Sequence, residues 1–352
     1  MFNTTGIQLG LFDNAKHPIQ ILREQPEPDP RSPIVVSCGG GRNSTYLLIR
    51  LWQQGIKPDL ILFADTGNEK RATYEYIEMF SGWLVERGMP PIITVRRKPT
   101  KVSSDRKGLI RVNQAMAAWR NLFSKTPISQ WLDGYSWLAW WKSKEGAVWT
   151  TLAEECIITG TLPSKAYGRS NCSQIWKIEP QELYVRDYML ERGLWYRKGR
   201  SIIADVKVRK FIGFHCEEVS RLISKQTGQM RELEDKFYRY EYPLMVDMIN
   251  NLDCQVGILA AGLPIPPKSS CVFCPRSRKE EIDNLSPEDL ELALFIEWNA
   301  MNSPNWRGEG SSIKGLGQRL NWTDYVAGKV SETELAAIAH RQAQMSCNCI
   351  DD

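Results

Sequence analysis

Histidine is scarce in this chain, whose 352 residues hold only His17, His215 and His340. Zinc sites built on imidazoles and Ser-His-Asp arrangements need well-placed histidines, so that chemistry has little to draw on. Long apolar runs are missing as well. None approaches the roughly 20 residues that a membrane-spanning helix requires, and the first residues lack the apolar centre of a secretory signal. The expected setting is the cytoplasm, with no membrane partner. There the nine cysteines stay reduced and serve as metal ligands, sulfur carriers or core filler rather than disulfides. Strong charge of one sign is absent too. The 45 Lys and Arg against 41 Asp and Glu leave +4, which permits an anionic partner without demanding one. There is no internal repeat and no low-complexity tract. The length accommodates one large α/β domain with insertions, or two domains.

One further absence is local. The run Ile34-Val35-Val36-Ser37-Cys38-Gly39-Gly40-Gly41-Arg42-Asn43-Ser44-Thr45 reads as a buried strand, a tight glycine loop and a helix start, with Leu47, Leu48, Leu51 and Trp52 at helical spacing behind it. Glycines let backbone N–H groups converge on an anion, and a helix N-terminus adds about half a positive charge. Arg42 adds a full charge, and the Ser44 and Thr45 hydroxyls can cap the helix or contact an oxyanion. The loop has no lysine, so it is not a Walker loop. A dinucleotide fingerprint fits in part, because Gly39-x-Gly41 is followed by Ser44 instead of a third glycine.

Past that loop, the strand 59–64, a helix over about 70–87 and the strand 92–95 alternate as βαβ units of a parallel sheet do, with the site expected at the strands' carboxyl ends. Residues 1–33, with Pro26, Pro28, Pro30 and Pro33, read as an extended N-terminal arm. From Arg96 to Lys125 there are nine Lys or Arg and one acidic residue, Asp105, and Trp119, Trp131, Trp137, Trp140, Trp141 and Trp149 follow closely. Basic charge beside aromatic platforms suits a nucleic-acid strand, with Arg96, Arg97 and Lys98 as candidate contacts. A solvated basic loop followed by a Trp-rich helical hairpin reads equally well from the same residues. Cys271-Val272-Phe273-Cys274 is a compact Cys-x-x-Cys knuckle of the kind that chelates zinc or an iron–sulfur cluster. Residues 286–345 have a helical pattern that opens on Ser286-Pro287-Glu288-Asp289.

Gly39 to Ser44 resembles the pyrophosphate loop of the adenine-nucleotide α-hydrolases, whose pattern is Ser-Gly-Gly-Lys-Asp-Ser. Leu62-Phe63-Ala64-Asp65-Thr66-Gly67-Asn68-Glu69, followed by Thr73-Tyr74, is similar to the Phe-x-Asp-Thr-Gly-x-Glu run of the phosphoadenylyl-sulfate reductase family. Cys172 with Trp176-Lys177-Ile178-Glu179-Pro180 looks like that family's cysteine-containing ligand segment, although Asn171 stands where a paired cysteine would be. Glu218 with Arg221 looks like its strand-to-helix segment that reaches the nucleotide. The resemblance implies a Rossmann-like α/β fold of the HUP type, a parallel sheet sandwiched by helices. It covers a nucleotide-binding domain over 34–285, with a basic, Trp-rich insertion at 96–155 and a helical region over 286–352.

It further implies a site for ATP or a phosphoadenylyl-sulfate-like nucleotide, with Mg²⁺. The nucleotide-binding residues would be Ser37, Gly39, Gly40, Gly41, Arg42, Asn43, Ser44, Asp65, Thr66, Gly67, Glu69 and Arg221, with Arg42, Ser44 and Asp65 catalytic. Cys172, Cys254, Cys271 and Cys274 would hold one metal group, an iron–sulfur cluster (4Fe–4S) or zinc. The family's C-terminal Glu-Cys-Gly-Leu-His motif is absent, which favours ATP-dependent adenylyl or sulfur transfer to a nucleic acid, with a sulfur-donor protein as a further partner. The alternatives are a nucleotide-binding module without catalysis, a reductase using Cys347 or Cys349, and an NAD-dependent oxidoreductase.

Overall fold

The short β-branched runs become strands of one parallel sheet. β1 (Ile34–Ser37), β2 (Leu60–Asp65) and β3 (Ile92–Arg96) are joined by helices α2 (Arg42–Gln53) and α3 (Arg71–Glu86). β6 (Val208–Phe211) and β7 (Tyr238–Glu241) complete the sheet, in the order β3-β2-β1-β6-β7. Registers such as Val36↔Phe211, Asp65↔Arg96 and Phe211↔Glu241 are all parallel. Every residue of β2 is buried, as a parallel strand covered on both faces must be. The order reverses at β1, and in open α/β sheets ligands bind outside the strands' carboxyl ends at such a reversal. The glycine loop begins there. The architecture is thus an α/β, Rossmann-like sheet flanked by helices.

The structure is a computed structural model. It describes residues 16–101, 114–115, 117–118, 148–149, 151–168, 171–224, 226–306, 308 and 312–343. Most of the Trp-rich insertion lies outside the described residues, as do Cys347 and Cys349. No described helix is long and apolar enough to cross a membrane.

Two compact units are distinguished. The first comprises residues 1–37, 42–60 and 194–265. It holds β1, α2, β6, β7, α1 (Pro18–Arg23), the antiparallel hairpin of β4 (Trp195–Lys198) and β5 (Ser201–Ala204), and α6 (Asn251–Ala260). Within the expected extended arm, 18–23 is helical. His17 and Gln20 form a capping box, and Leu22 packs with Phe214, Leu222, Tyr242 and Met245. A buried apolar face offsets the weakness of so short a helix. α2 and α6 approach so closely that a Cβ on Gly257 would fall 1.9 Å from the Tyr46 ring. The chain turns out of α2 at Gly55, in the left-handed region at φ +70°, with Ile56 N–H donating to Leu51 O.

The second unit comprises 38–41, 61–193 and 266–352. It contains β2, β3, α3, α4 (Leu152–Thr159), α5 (Glu179–Glu191) and α7 (Pro287–Met301). α7 starts as expected, with Ser286 Oγ accepting the Asp289 N–H. Its Leu294, Phe295 and Ile296 enter a core shared with Trp176, Phe273 and Trp322. Glu297 is fully buried and accepts from the N–H groups of Leu316, Trp322 and Thr323 and from the Thr323 hydroxyl, at 2.7–2.8 Å. Burial pushes its carboxyl up against those four hydrogen bonds. One side chain thereby pins residues 316–323 onto α7.

Candidate functional site

The start of α2 is built within the first unit. Asn43 Nδ2 donates to Glu218 Oε2 at 2.9 Å, and Arg221 donates to Glu218 Oε1 at 2.8 Å while its guanidinium lies 3.8 Å from the Phe214 ring centroid. The Arg221 and Glu218 side chains are only 7% and 14% exposed, so the pair is not a solvated helix face. The arrangement explains Asn43. An aspartate there would set a carboxylate against Glu218, whereas the amide supplies a donor. Gly213 passes so close that a Cβ would meet Ser44 N at 3.0 Å. The Thr45 hydroxyl is buried without a hydrogen-bond partner among the described residues.

The glycine loop itself, residues 38–41, belongs to the second unit. Cys38 N–H donates to Leu62 O, and Ser269 Oγ donates to Gly39 O. Gly40 has φ +72°, and a Cβ on it would lie 3.2 Å from Thr73 and 3.3 Å from Ile77 of α3, so the fold itself requires glycine here. Gly41 differs. Its φ is outside the left-handed region and a Cβ would meet nothing within 4 Å. Among the described residues, neither left-handed backbone nor a close neighbour of the Cβ position accounts for glycine there.

The turn after β2 is a buried polar cluster. Asp65 Oδ1 accepts from Gly67 N–H and from the Tyr74 hydroxyl, both at 2.7 Å, and Oδ2 accepts from Arg96 Nε at 2.8 Å. Burial and the Asp65 carboxylate push the Tyr74 phenol well above its ordinary value. With both oxygens occupied, Asp65 organises the turn. Gly67, at φ +80°, has Thr151 so close that a Cβ would fall 2.4 Å from its methyl group. Glu69 lies 3.1 Å from Lys177 Nζ and accepts from Thr66 Oγ1, also at 3.1 Å, while its Oε2 has no hydrogen-bond partner among the described residues. Lys177 is aimed inward by a π-helical turn, Gln174–Ile178, that leads into α5. Such turns occur often at functional sites. Asn68 O accepts from Val272 N–H and Asn68 Oδ1 from Ala153 N–H, which ties the turn to the cysteine knuckle and to α4.

Cys172, Cys271 and Cys274 line one cavity of about 40 Å³ together with Thr66, Lys165, Lys177 and Ser270. Lys165 and Lys177 are only 5% and 7% exposed, a placement that charge count alone does not reveal. The Ser270 hydroxyl is buried without a hydrogen-bond partner among the described residues. Burial, with Glu69 beside it, pushes the Cys271 thiol well above its ordinary value. Cys254 belongs to the first unit, on α6, where burial raises its thiol to about 12. Among the described residues no group of three or more His, Cys, Asp or Glu is arranged to hold a metal ion. Cys172, Cys271 and Cys274 thus share a cavity without being gathered, as they stand, into a ligand set. Cys38 and Cys156 are buried core residues, and Cys216 is half-buried.

The candidate nucleic-acid contacts fall in the same unit. Arg96 is 2.6 Å from Asp65, and Arg97 is 3.5 Å from Glu155 with its guanidinium 5.0 Å from the Trp176 ring centroid. Lys98 is exposed, with no acidic partner among the described residues. No protein-family model matches the chain, and no curated protein matches it.

Proposed function

We propose that Gly39–Ser44 bind the phosphates of ATP or a related adenine nucleotide. On this reading the chain is a pyrophosphate-loop protein of the HUP type, like the phosphoadenylyl-sulfate reductases, and transfers an adenylyl group or sulfur to a nucleic acid. Gly41 carries the proposal. It follows the strand where the sheet order reverses and directly precedes a helix N-terminus, and among the described residues nothing lies within 4 Å of where its Cβ would stand. A phosphate oxygen close to the backbone would supply the missing reason. Arg42 would balance charge on the pyrophosphate as it leaves, and Ser44 would donate to it. Mg²⁺ would accompany the nucleotide. Asp65, Thr66, Gly67 and Glu69 would hold the neighbouring turn rigid.

Calorimetry with ATP and Mg²⁺ tests this. Gly41→Leu should weaken binding at least tenfold with an unchanged far-ultraviolet spectrum and melting temperature; unchanged affinity overturns the reading. Gly40 is unsuited to the purpose, since its substitution strains the fold. Pyrophosphate release would show an active transferase, nucleotide binding without it would leave a non-catalytic module, and sulfite release from phosphoadenylyl sulfate would show a reductase. The metal group is a separate proposal, centred on Cys172, Cys271 and Cys274 of the second unit, whose side chains would have to close on the metal as it binds. Protein purified without air should carry iron with acid-labile sulfide, or zinc, and Cys271→Ser should lose it. Because ligation needs thiolates and burial raises this thiol, metal binding should weaken as pH falls.

A further inference from the structure

The β4–β5 hairpin gathers three exposed cations within four residues. Its pairs run Trp195↔Ala204, Tyr196↔Ile203, Arg197↔Ile202 and Lys198↔Ser201, so Gly199 and Arg200 form a two-residue turn, with Gly199 at φ +62°. The base is fixed. Trp195 is 3% exposed, its Nε1 donates to Val206 O at 2.9 Å, and its ring lies 4.8 Å from that of Phe237. Lys236 Nζ donates to Ile202 O at 2.6 Å. The far end is open: Tyr196 is 52% exposed, and Arg197, Lys198 and Arg200 are exposed.

None of those three cations has an acidic partner among the described residues. In the same unit Arg31, Arg50, Lys207 and Arg209 are each within 2.9 Å of a carboxylate, on Asp205, Asp247, Glu234 and Glu241. Alternation along β4 puts Tyr196 and Lys198 on one face and Arg197 on the other, with Arg200 at the turn. The ribbon is therefore cationic on both faces and at its tip. That pattern suits a groove walled by phosphates on two sides.

We propose that this hairpin is a contact for duplex DNA and enters the major groove; the proposal rests on the reading that the second substrate is a nucleic acid. The major groove of B-form DNA, about 12 Å wide, admits a two-stranded ribbon, whereas the deep, narrow groove of A-form RNA does not. Arg197, Lys198 and Arg200 neutralise phosphates, and the Tyr196 hydroxyl donates to one.

Fluorescence anisotropy of the full chain with a labelled DNA duplex, over a salt series, tests the proposal. The variant R197A/K198A/R200A should bind at least tenfold more weakly and lose about 2.7 from the slope of log affinity against log salt, roughly 0.9 for each phosphate released. Arg200→Glu alone, at the exposed turn, should weaken binding severalfold. The charge-matched variant K57A/R71A/K329A, altered at exposed positions elsewhere, should change affinity less than threefold. Equal losses in the two triple variants would overturn the proposal, as would duplex RNA bound through the hairpin as tightly as DNA, or a preference for phosphatidylserine vesicles over DNA. If the wild type binds DNA and the hairpin variant matches it, the hairpin fails and the nucleic-acid reading stands. If the wild type binds no nucleic acid, both fail. ATP affinity, measured on the same proteins, reports separately on the glycine loop.

Discussion

Around the Asp65–Glu69 turn, Arg96, Arg97 and Lys177 all lie against carboxylates, and Lys177 is buried with Glu69 at 3.1 Å. At the β4–β5 turn, Arg197, Lys198 and Arg200 are exposed, with no acidic partner among the described residues. In sequence, Arg96-Arg97-Lys98 and Arg197-Lys198-Gly199-Arg200 look alike. The difference lies in what each strand end meets. β3 ends beside β2, whose last residue is Asp65. The hairpin ends in its own turn. Basic residues beside a buried acid serve the fold, and those at a free tip remain available to a partner.

The comparison is sharpest at Lys177. Lys177→Met leaves Glu69, whose side chain is 0% exposed, without its cation. Breaking a buried pair on one side costs about 3–5 kcal/mol, and urea unfolding should show a loss of that order. The double variant with Glu69→Gln should recover much of it. A loss below about 1 kcal/mol would break the comparison, because it would place Lys177 with surface cations. Arg96→Ala should cost less. Asp65 keeps its bonds from Gly67 and Tyr74, and the Arg96 side chain is 65% exposed. A charged hydrogen bond discounted for that exposure leaves about 1–2 kcal/mol, again read from urea unfolding. An effect as large as that of Lys177→Met would show that Arg96 carries the turn.

Strands, helices and the glycine loop were legible because their periods and punctuation are local. β1 runs over Ile34–Ser37, as expected, and α3 falls within a residue of its expected ends. The helix at 18–23 was not legible. Six residues cannot show a period, and its stability comes from Phe214, Tyr242 and Met245, far along the chain. The polar partnerships were harder still. Asp65–Arg96 had a signal, since adjacent parallel strands of matched register bring their last residues together. Asn43–Glu218 and Lys177–Glu69 join residues more than a hundred positions apart, and no spacing rule connects them. The cavity beside Cys271 was legible only as its Cys-x-x-Cys, without Lys165 or Ser270.

The smallest expected effect is on the stability of the hairpin variant, and there a near-zero result is informative. R197A/K198A/R200A removes no ion pair among the described residues, and its three positions are exposed. The hairpin's anchors, Trp195 on Val206 and Lys236 on Ile202, stay in place. Surface substitutions of this kind stay within about 0.5 kcal/mol, and relief of repulsion among three close cations works toward stabilisation. Urea unfolding should therefore place the variant within that margin of the wild type, with an unchanged m-value, while its affinity for duplex DNA falls. Thermal melts at low and high salt add a sharper reading. Repulsion at the tip is screened at high salt, so the variant's advantage, if any, should shrink as salt rises. A loss of 2 kcal/mol or more would mean that the three cations support the fold. The contrast with the Asp65–Glu69 turn would then collapse, because both basic groups would be structural.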